Sequence, residues 1–223
     1  PFVIAKFAAS LDGRIAAASG DSRWVSGPET RQWSHELRSR IDAILVGSST
    51  VVIDDPLLTA RPGDRDAERQ PLRIVVDSRG RTPPMARVLS GPARTLIATL
   101  ERAPEHWRAA LRATGAEVLS FPEDGEHVGL LGVMRELAER DVLSLLVEGG
   151  GVILGAFFDR GLVDKVHAVI APMIIGADDA PAAVAGRGAY RMADALRLRG
   201  ITVERLGEDL LVTGYPQYPE TKE

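Results

Sequence analysis

The stretch LLVEGGGVILGAFF, Leu145–Phe158, decides how the chain is read. An apolar run ends in a carboxylate, Glu148. Three glycines follow, Gly149, Gly150 and Gly151, and the chain then turns apolar again. LSLLVE reads as a buried strand and VILGAFFDRG as a helix, with the glycines making the turn between them. Glycine admits positive φ and lets another group approach the backbone closely. Amides at the start of the helix then point into open space, where a phosphate is stabilised. A tight turn without a ligand accounts for the glycines equally well. The spacing also departs from the dinucleotide fingerprint, because after Gly149 and Gly151 the third glycine position holds Leu154. Glu148 favours a ligand, since a carboxylate at the C-terminal end of a parallel strand sits where open α/β sheets bind their ligands. Buried there without a partner it would be costly.

Working outward, short runs rich in Val, Ile and Leu recur at 2–8, 42–47, 72–77, 94–98, 142–147, 164–171, 201–206 and 209–214. They read as strands. Helix-period segments lie between several of them, at 28–40, 104–113, 127–140 and 151–160. The first starts with Ser26 and Glu29 in capping-box spacing and Pro28 in its first turn. Alternating strands and helices predict an α/β domain with a mostly parallel central sheet flanked by helices. The last two runs, separated only by Gly207–Glu208, predict a C-terminal antiparallel hairpin. The polar segment RPGDRDAERQP (61–71) reads as a loop, so residues 1–223 are expected to form a single domain.

Composition narrows the function. The net charge of −4 leaves no electrostatic footprint for nucleic acid. No apolar stretch reaches the roughly 18 residues of a membrane span, and no signal peptide opens the chain. Cysteine is absent, which fits a cytoplasmic setting and excludes a thiol nucleophile. The histidines at 35, 106, 127 and 167 are not at metal-ligand spacing, so no metal site is expected.

Three further clusters carry polar chemistry. Lys6 lies in the first strand among Ile4, Phe7 and Ala8, and reads either as an edge-strand gatekeeper or as a functional cation. After it, SLDG and SGDSRW place a hydroxyl, a cation and a large aromatic side by side, in a loop suited to folding over a flat heterocycle. In ILVGSSTVVIDDPLLTAR (44–61) a strand ends at Gly47 and hydroxyl residues follow; Thr50 and Asp54 share one face of a short helical turn, and helix capping explains at least one hydroxyl. In VVDSRGR (75–81), Ser78, Arg79 and Arg81 either grip an anion or form a solvated turn.

Taken together, KFAASLDGRIA, SGDSRWVS, ILVGSSTVVIDDPLLTAR and LLVEGGGVILGAFF resemble, in order, signatures of the reductase domain of the bifunctional riboflavin-biosynthesis deaminase/reductase family. The resemblance extends over nearly the whole chain. It implies a dihydrofolate-reductase-like fold, NADPH as cofactor and a homodimer. The implied substrate is 5-amino-6-(5-phosphoribosylamino)uracil, a phosphorylated pyrimidine whose ribose becomes a ribityl chain. Aligned with the family, Ala8, Trp24, Thr50, Asp54 and Ser78 match positions that contact NADPH, as do Gly150, Gly151, Val152, Ile153, Leu154, Gly155 and Ala156. Ser22, Arg38, Leu58, Arg61 and Glu148 match substrate contacts. Lys6 matches a lysine close to the reacting carbon, which implies a catalytic role for it, with Asp54 a second catalytic candidate. Arg38 and Arg61 are the implied ligands of the substrate phosphate.

Family proteins often carry an N-terminal zinc deaminase domain. The cysteine-free chain lacks its H-x-E…P-C-x-x-C pattern, so it reads as a stand-alone reductase or as part of a longer protein. Some stand-alone relatives reduce the 2,5-diaminopyrimidine instead. A reductase of a pterin or another heterocycle is a further alternative, and so is a nucleotide-binding protein without catalysis.

Overall fold

A computed structural model describes Pro1–Pro219. In chain order its elements are β1 (Phe2–Ser10), α1 (Pro28–Ser39), β2 (Ala43–Gly47), α2 (Ser48–Asp54), β3 (Leu72–Val76), β4 (Thr95–Thr99), α3 (Glu105–Ala113), β5 (Glu117–Ser120), the two-residue strands β6 (Glu123–Asp124) and β7 (His127–Val128), α4 (Leu130–Glu139), β8 (Ser144–Glu148), α5 (Gly151–Asp159), β9 (Lys165–Ala171), β10 (Arg197–Leu206) and β11 (Asp209–Gln217). Each of the eight expected strands is present. The fold is α/β, its sheet mostly parallel, with an antiparallel pair at the C-terminal end. By Cα clustering the chain forms two compact units, one of Pro1 with Gln32–Leu146, the other of Phe2–Arg31 with the residues from Val147 on.

In the first unit β2, β3, β4 and β5 run parallel, in register Leu45↔Ile74, Ile74↔Leu96 and Leu96↔Glu117. Strands β2, β3 and β4 are near-continuous buried runs, as expected where helices cover both faces of such a sheet. Ile44, Leu45, Ile74, Leu96 and Ile97 are fully buried. The start of β2 is tied to that of β8 through Asp42, whose carboxylate accepts from the amides of Leu143 and Ser144 at 3.1 and 2.9 Å. In α3 the buried residues are Trp107 and Leu111, four apart on one face, and the Trp107 indole donates to Thr82 O at 2.8 Å. Helix α4 buries Leu130, Val133 and Leu137 by the same spacing. It begins later than the sequence period suggested, because His127 and Val128 pair with Glu123 and Asp124. The strand β5 was not foreseen: EVLS is four residues long with one buried side chain, too short to register as a pattern.

In the second unit β1 pairs parallel with β9, β9 antiparallel with β11, and β11 antiparallel with β10. The expected hairpin is present, with Leu206 opposite Asp209 and Gly207 at φ 63° in the two-residue turn. Helix α5 is apolar nearly all round and correspondingly buried, with Leu154 and Phe157 fully inside. The start of α1 is held differently from the capping box read in the sequence. Asp209, at the head of β11, accepts from the Gly27 amide at 2.8 Å and from Thr30 Oγ1 at 2.6 Å. Its carboxylate thus supplies the acceptor at a helix N-terminus from about 180 residues away in sequence.

Candidate functional site

In the second unit, Glu148 ends β8 with 7% of its surface exposed. Gly149 and Gly150 follow at φ 84° and 61°, left-handed values that an L side chain rarely adopts. The turn therefore needs glycine at these two positions. Gly150 is the N-cap of α5, and the first amides of an α-helix have no intrahelical acceptor. The remaining glycines of the motif do other work. A Cβ on Gly151 would lie 2.3 Å from Ala182 O, and one on Gly155 only 1.7 Å from Ala185 O. The Ala185 amide donates to Gly151 O at 2.9 Å. Gly151 and Gly155 thus let the 182–186 backbone lie directly on the helix. The run matched to cofactor contacts accordingly divides. Val152 is exposed and Ala156 half-buried, whereas Ile153, Leu154 and Gly155 are buried. Leu154 also donates its amide to Gly150 O at 3.2 Å. Ile153, Leu154 and Gly155 seat the helix; the Gly150 turn and the first-turn amides are the part that can meet an anion.

Lys6 and Ala8 point to the same face of β1, both half-buried. Strand β1 is interior to the sheet, so the edge-strand reading of Lys6 fails. Lys6 lies in register with His167, and His167 with Thr213. His167 is buried, and its Nδ1 lies 2.9 Å from Thr213 Oγ1. Burial, and then the charges of Lys165 and Lys6, push its pKa down to about 4, so the imidazole beside Lys6 is neutral at pH 7. The loop after β1 is fastened by Asp12, which accepts from Ser10 Oγ at 2.6 Å and from the amides of Ile175 and Gly176 at 3.1 and 2.7 Å. These bonds hold its carboxylate down to about 2. Further on, Ser22 is half-buried. Trp24 is 66% exposed, and the Arg31 guanidinium sits 4.6 Å from its ring centroid.

In the first unit, Thr50 and Asp54 are half-buried on α2. Its N-cap is Gly47, without a side-chain cap. Ser48 and Ser49 instead accept from Arg81 Nη2, at 3.1 and 2.8 Å. The expected anion cluster at 78–81 is dispersed. Ser78 Oγ accepts from the Val128 amide at 2.9 Å, and Arg79 reaches Glu126 at 3.4 Å. Of the two arginines, Arg79 faces a carboxylate and Arg81 faces neutral hydroxyls. What shapes this turn is the buried Asp77, which takes the amides of Arg79, Arg81 and Thr82 at 3.2, 2.8 and 2.7 Å.

Arg38 and Arg61, 23 positions apart, are linked through His35 and the carbonyl of Thr59. Arg38 Nη1 donates to Thr59 O at 3.3 Å, and His35 Nδ1 lies 3.1 Å from the same oxygen. Arg61 Nη2 meets His35 Nε2 at 3.4 Å. Leu58, buried and at φ 52°, is the kink that turns this segment. Gln70 brackets it by accepting from the Ala60 amide at 2.8 Å and donating to Ala60 O at 2.9 Å. Arg73, fully buried in β3, donates to Leu57 O at 3.1 Å, Ser90 O at 2.8 Å and Ala93 O. Burial lowers its pKa only to about 10, so it remains a cation at pH 7. The roles of His35, Arg73 and Asp77 escaped the sequence reading. His35, four positions after Arg31 and three before Arg38 on one helix, was the one with a legible signal.

The RibD C-terminal domain family matches residues 1–212. The 2,5-diamino-6-ribosylamino-4(3H)-pyrimidinone 5′-phosphate reductase of Methanothermobacter thermautotrophicus is 42% identical over 212 residues, covering 95% of this chain and 96% of its own. The Thermotoga maritima diaminohydroxyphosphoribosylaminopyrimidine deaminase/5-amino-6-(5-phosphoribosylamino)uracil reductase superimposes with a TM-score of 0.78 at 30% identity. This chain is covered to 97% there and spans 57% of that longer protein. Enterococcus faecalis dihydrofolate reductase, at 14% identity and a TM-score of 0.50, shares the fold. The chain belongs to the RibD C-terminal domain family, with a dihydrofolate-reductase-like fold.

Proposed function

We propose that this chain, as a single reductase domain, uses NADPH to reduce the ribose of a 5-amino-6-(5-phosphoribosylamino)pyrimidine to a ribityl chain, in riboflavin biosynthesis. One relative is named as a 2,5-diamino-6-ribosylamino-4(3H)-pyrimidinone 5′-phosphate reductase, and another, from Escherichia coli, as a riboflavin biosynthesis protein. The observation that carries the substrate reading is the linkage of Arg38 and Arg61 through His35, which shares Thr59 O with Arg38 and meets Arg61 at its other nitrogen. Among the described residues Arg61 meets the His35 imidazole and no carboxylate, so no carboxylate cancels its charge. A pterin has no phosphate to use it. The 2,5-diamino form is the first substrate to test, because the Methanothermobacter relative named for it aligns over 95% of this chain and 96% of its own. The uracil form is the second, on the likeness to the Thermotoga enzyme. A binding protein without catalysis is the weaker reading, since the relatives that match this chain over nearly its whole length include proteins named as reductases.

The residues fit a nicotinamide dinucleotide. The left-handed turn at Gly149 and Gly150 brings the chain onto the start of a nine-residue helix, and the amides of Gly151, Val152 and Ile153 would hold the pyrophosphate. Arg81, with Ser48 and Ser49, would hold the 2′-phosphate that distinguishes NADPH. When bound, the cofactor supplies the hydride for C1′. The protein supplies position and charge. Lys6 Nζ carries the proton passed to the oxygen or nitrogen that becomes electron-rich as C1′ is reduced, and neutral His167 beside it adds no competing positive charge. Arg38 and Arg61 fix the remote phosphate, whose binding energy holds C1′ in place.

A homodimer completes the reading. Strand β10 is exposed along most of its length, including Ile201 and Val203, and Tyr190 and Met192 nearby are also exposed. The reaction is tested by NADPH oxidation with each pyrimidine and with dihydrofolate; turnover of dihydrofolate alone would overturn the assignment. The dimer is tested by light scattering, where a monomeric mass at micromolar concentration counts against it.

A further inference from the structure

His35 is an ionisable side chain for which the reductase reading has no use. It stands on α1, half-buried, one turn before Arg38. Its Nδ1 lies 3.1 Å from Thr59 O, its Nε2 lies 3.4 Å from Arg61 Nη2, and the Arg61 amide nitrogen is 3.3 Å from Nδ1. A guanidinium can only donate and a carbonyl can only accept. With its proton on Nδ1, the ring donates to Thr59 O and accepts from Arg61 at Nε2. With its proton on Nε2, it satisfies the Arg61 amide alone. That tautomer sets lone pair against carbonyl oxygen at Nδ1, and donor against donor at Nε2. The Nδ1–H ring satisfies two of these three contacts, losing only the Arg61 amide, and the Nε2–H ring satisfies one, so the balance favours Nδ1–H. Thr59 O then accepts from His35 and from Arg38 together, which ties the two arginines to one fixed carbonyl.

We propose that His35 is a positioning residue for the phosphate end of the substrate, its Nε2 fixing the direction of the Arg61 guanidinium. The inference rests on the reading of Arg38 and Arg61 as phosphate ligands. Its physical basis is preorganisation. A long, flexible side chain loses rotamer freedom when it grips an anion, and an acceptor that holds it beforehand removes part of that cost. A carboxylate would hold the guanidinium too, but would cancel the charge the phosphate needs. A neutral imidazole nitrogen holds the direction and leaves the charge.

Two substitutions separate the two ends of the ring. His35→Gln reaches as far as Nε2 and keeps an acceptor facing Arg61. His35→Asn reaches only the place of Nδ1 and keeps a donor to Thr59 O. The measurement is kcat and KM on the phosphorylated pyrimidine and on its dephosphorylated analogue, with NADPH Kd and melting temperature on the same samples. His35→Asn should lower kcat/KM on the phosphorylated substrate about tenfold, the scale of one hydrogen bond to a charged group. The loss should appear mainly in KM, with the dephosphorylated analogue and NADPH unaffected. His35→Gln should keep most of the wild-type preference. Equal losses for Asn and Gln, or a loss shared by both substrates, would mean that His35 only holds the loop, and would overturn the proposal. If the wild-type enzyme does not distinguish the two substrates, the arginine assignment fails and this inference with it. If Arg61→Ala abolishes the distinction while His35→Asn preserves it, the arginine assignment stands and the role of His35 falls.

Discussion

Gly155→Ala sets helix propensity against packing, and the two predict opposite signs. In a helix interior alanine is favoured over glycine by about 1 kcal/mol, so propensity alone makes the variant more stable. The new Cβ, however, would lie 1.7 Å from Ala185 O and 2.3 Å from Ala185 C. Both contacts are to backbone, with no flexible side-chain end to swing aside. The 182–186 segment would have to retreat by roughly 1.5 Å to restore an ordinary contact, which places the change at or above the usual 1–3 kcal/mol for overpacking. That retreat also stretches the bond from the Ala185 amide to Gly151 O, now 2.9 Å, for about 1 kcal/mol more. The net expectation is a destabilisation of about 2–3 kcal/mol. At roughly 2–4 °C per kcal/mol for a chain of this length, the melting temperature should fall by about 4–12 °C in a thermal scan followed by circular dichroism. Gly151→Ala, with its nearest approach at 2.3 Å to Ala182 O, should fall less. A melting temperature equal to or above that of the wild type would refute the packing argument, and with it the assignment of Gly155 to seating the loop.

Three further outcomes follow from single contacts. Asp209→Asn turns one oxygen of a buried acceptor into a donor facing the Gly27 amide and Thr30; a drop of about 2–4 kcal/mol is expected in urea unfolding, and an unchanged midpoint would mean the start of α1 is held elsewhere. His167 is depressed from 6.5 to about 4, so above pH 6.5 both folded and unfolded states are neutral and it costs nothing. As pH falls from 6.5 towards 4 the unfolded chain binds a proton that the folded one refuses, and about 3 kcal/mol is lost; a His167→Gln variant should lack that slope, and an equal slope in both would exclude His167 as its source. In cofactor choice, Arg81→Ala should lower the preference for NADPH over NADH roughly tenfold, and Arg79→Ala should change it little because its charge already faces Glu126; the reverse ranking would move the 2′-phosphate to Arg79.

How much of this was legible depends on the range of the interaction. Strand and helix identity is a local property, and the apolar runs and the 130, 133, 137 spacing carried it through. The glycine turn was legible for the same reason: Gly149 and Gly150 have the positive φ the motif implies. What the sequence withheld were contacts between distant segments. Ser26 and Glu29 have the spacing of a capping box, yet Asp209 caps the helix, and no local pattern announces a partner on the last hairpin. The four residues from Ser78 to Arg81 look like one anion grip. Folding sends Arg79 to Glu126, Ser78 to Val128 and Arg81 to Ser48 and Ser49, three destinations that lie outside the motif.

The arginines show what a sequence leaves undetermined about charge. Arg73 sits in the apolar strand LRIVV, and Arg38 and Arg61 in polar surroundings, so the first looks anomalous and the others ordinary. The structure reverses their interest. Arg73 is spent on carbonyls: those of Leu57, Ser90 and Ala93 occupy its guanidinium, and no water reaches it. It fastens the segment that carries Leu58 and Arg61, and its complete burial keeps it from any ligand. Arg61 has a backbone fixed by that segment and a guanidinium facing a neutral nitrogen. A cation in the first condition is part of the frame; one in the second is prepared for an anion. Residue type is the same in both, and only the count of acceptors already supplied separates them. That count is set by residues 57, 59, 90 and 93, none of which is charged, which is why no reading of charge pattern alone could have ranked the three.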